Sequence, residues 1–141
     1  MALRLLIEGV DTINLGEHNI ETCVFMTDTP DDSNARSTDV VNTLKITGKI
    51  LTAVDGAMAD DTQKIAEWSL VRAESADSYR RVTVEMFYAN QIVRKVHFPH
   101  AFVVDYEERY GDTEGVGQFV LTVRQKKDKF EATTIEGGYD F

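Results

Sequence analysis

Cysteine is nearly absent from this chain of 141 residues: Cys23 stands alone. A single cysteine permits no internal disulfide and no cysteine-based metal cluster, and it fits a reducing compartment. Its neighbours in sequence are apolar and none is basic, so it reads as a small hydrophobe rather than a nucleophile. Histidine is scarce too, and only His97 and His100 lie close together. On a strand, positions three apart face opposite sides, Pro99 bends the backbone between them, and the sequence identifies no third ligand. Positive charge is also short, with 15 Lys and Arg against 24 Asp and Glu for a net charge of -9. A general nucleic-acid binder needs a basic face, so this balance argues against that class. The one basic cluster, Lys126, Lys127 and Lys129, is offset by Asp128 and Glu131 and reads as a solvated face.

Catalytic motifs are missing as well. No serine sits in a Gly-x-Ser-x-Gly elbow. The stretch Gly111–Gly117 lacks a Gly-Lys-Ser/Thr ending and does not lead into a helix, so it reads as a connection between strands and not a phosphate cradle. Carboxylates crowd at Asp31 and Asp32 and again at Asp105, Glu107 and Glu108, but acid-rich surfaces supply such groups without a cleft. No catalytic residue, cofactor or metal site is therefore expected. The opening residues Met1–Gly9 carry Arg4 and Glu8 and have no long apolar core. Neither a signal peptide nor a membrane span is expected there, and synthesis in the cytoplasm is.

What the chain does have is alternation. Hydrophobic residues make up 43% and charged residues 28%, ordinary usage for one globular domain over residues 1–141. Leu3, Leu5 and Ile7 predict a first strand, with a turn over Asp11–Gly16. Asn19–Met26 predicts a second, with Ile20, Thr22, Val24 and Met26 on one face. The polar run 27–39 is a long loop. Leu44, Ile46, Gly48 and Ile50 give a third strand. Ile65, Trp68 and Val71 at three-residue spacing, widened by Ala66, Leu70 and Ala73, predict one short α-helix over 61–73, with Asp60 and Gln63 placed as a capping box. The densest block runs from Arg81 to Arg124. It holds a strand through Val82, Val84, Met86 and Tyr88, a turn at Ala89–Gln91, and an extended run Ile92–Tyr106 interrupted at Pro99. The Gly111–Gly117 loop and a strand through Phe119, Leu121 and Val123 complete it. Phe130–Ile135 is expected to add a last short strand, and Gly137-Gly138 to begin a tail. The expected fold is mainly β, a β-sandwich or β-barrel-like domain with one short helix.

The order of these elements resembles the tail-tube protein family. Its members are the inner-tube subunits of contractile phage tails and related injection systems and the tube protein of type VI secretion. The likeness rests on Trp68 in a short helix, the paired strands Val82–Tyr88 and Ile92–Phe98, the bent continuation Ala101–Tyr106, and Gln118–Val123, within residues 60 to 136. It implies a mechanical function: subunits that pair strand edges into rings, sixfold as in the family, and rings that stack into a hollow tube. Sheath, baseplate or effector proteins would be its partners, together with other copies of itself. The loop 27–39 would then bridge subunits, making Asp31, Asp32, Asn34 and Arg36 candidate interface residues, and an acidic surface could line the lumen without binding an acidic cargo. The bare residues also admit a small β-domain acting as a protein-binding adaptor or chaperone, and, more weakly, a hydrolase built on carboxylates or on His97 and His100.

Overall fold

Leu5 and Ile7 alternate with more exposed neighbours, and β1 (Ala2–Glu8) buries both completely. The structure is a computed structural model describing residues 1–28, 41–50, 61–72, 74–111, 117–125 and 133–140. After β1 come β2 (Thr12–Leu15), β3 (Ile20–Asp28), β4 (Val41–Ile50), α1 (Thr62–Ser69) and a 3-10 turn at Ala76–Ser78. Then follow β5 (Arg80–Tyr88), β6 (Gln91–Arg109), β7 (Gly117–Gln125), β8 (Thr134–Glu136) and β9 (Tyr139–Asp140). All pair antiparallel in one sheet of order β2-β1-β5-β6-β7-β4-β3, with β8 and β9 added on β6. The expectation of a mainly β domain with one short helix is met, and its strands form a single sheet.

The pivot is β6, 19 residues long. Its first part pairs with β5 as far as Ala101, and from Ala101 onward it pairs with β7. One strand thus serves both halves of the sheet, which folds over a shared core. Phe25 of β3 and Phe98 of β6 meet within it, ring centroids 6.2 Å apart. Pro99 does not interrupt the strand. The β5 register shifts between Arg80 and Val82, opposite this point, so a residue without an N–H leaves no ladder bond unmade. The next N–H, of His100, donates to Gln125 Oε1 at 3.0 Å.

Four local readings change. Residues 12–15 form β2 instead of lying in a turn, because Ile13 and Leu15 pair with Ile7 and Leu5 and are buried with them. The face of β3 is reversed beyond its start. A register shift between Ile20 and Thr22 turns Cys23 and Phe25 toward the core and leaves Val24 and Met26 46% and 42% exposed. The helix is shorter than 61–73: it ends at Ser69, so Leu70 leaves the apolar stripe and is exposed. Asp60 and Ala73 lie outside the described residues, and Gln63 donates to Glu67 rather than completing a capping box. Finally, Gly137-Gly138 does not open a free tail. Tyr139–Asp140 pairs with Gln91 and Ile92, and of the strand expected over 130–135 the described part is the start of β8.

α1 packs against β2 and β6. Ile65 and Trp68 are buried, and Trp68 Nε1 donates to the Ser78 carbonyl at 3.0 Å. The Arg80 guanidinium lies 5.3 Å from the Trp68 ring centroid, a cation–π contact. Arg80 is buried, and burial pulls its guanidinium below the ordinary value while Asp11, Asp77 and Glu67 oppose this.

Candidate assembly interface

A sheet that does not close on itself has two end strands, and each presents backbone N–H and C=O groups with no ladder partner. Among the described residues the ends are β2 and β3. The chain treats them differently. At β2, α1 reaches across: the Asn14 N–H donates to Asp61 Oδ2 at 2.9 Å, and Lys64 Nζ donates to the Thr12 carbonyl at 3.3 Å. Asp61 and Lys64 are themselves paired at 3.4 Å. Two backbone groups of the edge are thereby satisfied, and the helix blunts it. Asp61 stands at the N-cap of α1 but makes no side-chain capping bond, and its carboxylate serves this edge instead.

At β3 no strand pairs with the outer edge among the described residues. Its exposed side chains are Glu21, Thr22, Val24, Met26 and Thr27, two of them large and apolar. Glu21 and Thr27 are tied back to the same sheet, through Gln118 Nε2 at 3.3 Å and Asn42 Oδ1 at 3.2 Å. The Cys23 thiol is on the inward side, where burial pushes it up to about 12 and keeps it protonated. The apolar contribution of Val24 and Met26 to this edge was hidden in the sequence, because strict alternation set both on the same face as Ile20, which is buried.

The residues singled out for chemistry do not converge. His97 Nδ1 is 2.8 Å from the Thr83 hydroxyl, in a polar hollow of about 390 Å³ that Glu85, Lys95, Thr134 and Glu136 also line. Burial, then Arg81 and Lys95, push the His97 imidazole below its ordinary value, against the pull of Glu8 and Glu136. His100 is engaged through its backbone by Gln125. Glu108 accepts from Tyr106 at 2.6 Å and also from Tyr110, and Glu107 holds Arg109 at 2.6 Å. These carboxylates are occupied by neighbours two residues away on the same stretch. Among the described residues no group of three or more His, Cys, Asp or Glu could hold a metal ion. Asp31, Asp32, Asn34 and Arg36, the expected interface residues, lie outside the described residues, as does 112–116 of the glycine loop. No described helix is long and apolar enough to cross a membrane.

No protein-family model and no curated protein sequence matches the chain. Solved structures do. Hcp1 from Flavobacterium johnsoniae superposes with a TM-score of 0.54 at 14% identity, over 98% of this chain and 99% of that one. A chain of the anti-feeding prophage baseplate, solved by cryo-EM with 6-fold symmetry, gives 0.54 at 11% identity, over 96% and 92%. A chain of the sheath-tube complex of an extracellular contractile injection system, PVC, in its extended state gives 0.51 at 7% identity, over 96% and 89%. At such identities the likeness is one of fold, and it reaches well beyond residues 60–136 on which the sequence resemblance rested. The chain has a tail-tube-like fold.

Proposed function

We propose that this protein is a structural subunit of a contractile injection, secretion or phage-tail-like apparatus, and that copies join edge to edge into rings whose stacks form a tube. The observation that carries this reading is the unequal treatment of the two sheet ends, in a chain with this fold. One end is closed by its own helix, and the other, β3, has no strand on its outer edge among the described residues and carries Val24 and Met26 outward. An edge of this kind accepts a strand or side-chain surface from a neighbour, and a contact between unlike surfaces closes into a ring or grows into a filament. Sixfold closure is the ring number we favour, with sheath and baseplate proteins as outer and terminal partners. The work is mechanical and needs no catalytic group.

Electron microscopy of the purified protein at high concentration tests the reading. Rings or tubes are expected for the parent. A Val24→Lys, Met26→Lys double variant should keep the β circular dichroism of the parent and remain monomeric, because both positions are exposed in the single chain. A parent that stays monomeric at every concentration would overturn the proposal. Rings that form equally well with both lysines in place would remove β3 from it.

A further inference from the structure

The two edges of β6 are held in different ways. One pairs with β5 from Gln91 to Ala101. The other is taken by β7 only from Ala101 onward. Over residues 91–97 that second edge carries a strap formed by β8 and β9: Lys95, Val96 and His97 pair with Glu136, Ile135 and Thr134, and Gln91 and Ile92 with Asp140 and Tyr139.

The strap fits β6 closely but is weakly anchored. Residues 134–138 are all exposed, Ile135 at 49%, and none of them belongs to the core cluster. The Lys95–Glu136 pair is 4.0 Å apart, with Glu136 exposed and Lys95 half-buried, so it adds little. Thr133, just before the strap, accepts from Asn42 Nδ2 at 3.3 Å. The fit itself comes from two glycines. A Cβ on Gly137 would lie 2.3 Å from the Val93 carbonyl oxygen. Gly138 takes a φ of +75°, which brings its N–H to the Ile92 carbonyl at 2.8 Å. A segment held by backbone bonds, with its described side chains exposed, opens at a small fraction of the cost of global unfolding.

We infer that this edge of β6 is a strand-accepting site whose second occupant is the same strap, residues 134–140, of another copy of the chain. A second copy brings the same register and the same two glycines, so every ladder bond lost on opening is remade on exchange. Chiefly the advantage of the intramolecular tether is given up, and high local concentration offsets it. An unrelated extended segment with a side chain at the Gly137 position would meet the Val93 carbonyl. The exchange needs no ring and holds for any pair of copies.

Disulfide trapping in the full-length chain tests this. Lys95 and Glu136 are direct cross-strand partners, a spacing two cysteines can bridge. A Lys95→Cys, Glu136→Cys double variant should close within one chain when dilute, and failure to close would show that the strap does not hold this register. A Lys95→Cys protein mixed with a Glu136→Cys protein should give a covalent heterodimer that rises with concentration and exceeds either homodimer several-fold. Adding Gly137→Ala to the Glu136→Cys partner should cut that yield several-fold. Cys23 is kept protonated by burial and does not compete in mildly alkaline buffer. Heterodimer no more abundant than the homodimers at any concentration overturns the inference. Microscopy of the parent protein judges ring formation separately.

Discussion

Ala89 and Asn90 both sit at positive φ, 51° and 64°, in the two-residue turn between β5 and β6, where Tyr88 pairs with Gln91. Two successive left-handed residues make the turn whose twist matches a hairpin, and Asn-Gly is the pair that adopts it most readily. Alanine gains nothing from its side chain there and bears the steric penalty of the left-handed region, roughly 1–2 kcal/mol. Ala89→Asn is expected to raise stability by up to about 1 kcal/mol, since asparagine tolerates this conformation. A urea midpoint equal to or below the parent's would contradict this. The turn was legible from sequence at Ala89–Gln91, but its type was not, because alanine carries no signal for positive φ. Gly48 shows the same limit. It sits inside an alternating strand, and its necessity is a fact of space: a Cβ there would lie 2.6 Å from the Asn19 carbonyl oxygen and 2.6 Å from the Phe119 ring.

At the scale of elements, sequence periodicity located most of the strands and the helix. It failed where pairing rather than pattern decides. Thr12–Leu15 offers only two apolar residues, and it becomes a strand because β1 presents Leu5 and Ile7 to them. In β3 a single extra residue, placed by the register shift after Ile20, inverts every later side chain. Between β5, β6 and β8, His97 reports on packing through pH. Burial, Arg81 and Lys95 lower its value from the ordinary 6.5, so the unfolded chain takes up the proton first as pH falls. Stability is therefore present above 6.5, declines as pH falls through that value, and levels off below the lowered folded-state value. His97→Gln, which can keep a hydrogen bond to Thr83, should flatten this part of the pH profile in thermal melts. A profile of unchanged slope would assign the dependence to other groups. The candidate site was less legible than the fold. An open edge is defined by what fails to pair with it, and the four acidic-loop residues expected at an interface lie outside the described residues.

For the whole molecule, net charge sets the terms of assembly. Each copy carries a formal -9, so bringing copies together works against their mutual repulsion. The features of the candidate edge that favour contact are short-ranged: the outer backbone edge of β3, which no strand among the described residues pairs, with Val24 and Met26 beside it. Backbone pairing and apolar burial depend weakly on moderate salt. Repulsion between exposed charges does not: the screening length falls from about 30 Å at 0.01 M to about 10 Å at 0.1 M. Over that range added salt should promote association, shifting the concentration at which oligomers form downward. The opposite sign is expected if complementary charges hold the copies together, because salt would then weaken the joint along with the repulsion. Sedimentation velocity of the parent chain across these salt concentrations separates the cases. Association that weakens as salt is added would move the interface away from β3 and onto a surface of paired charges.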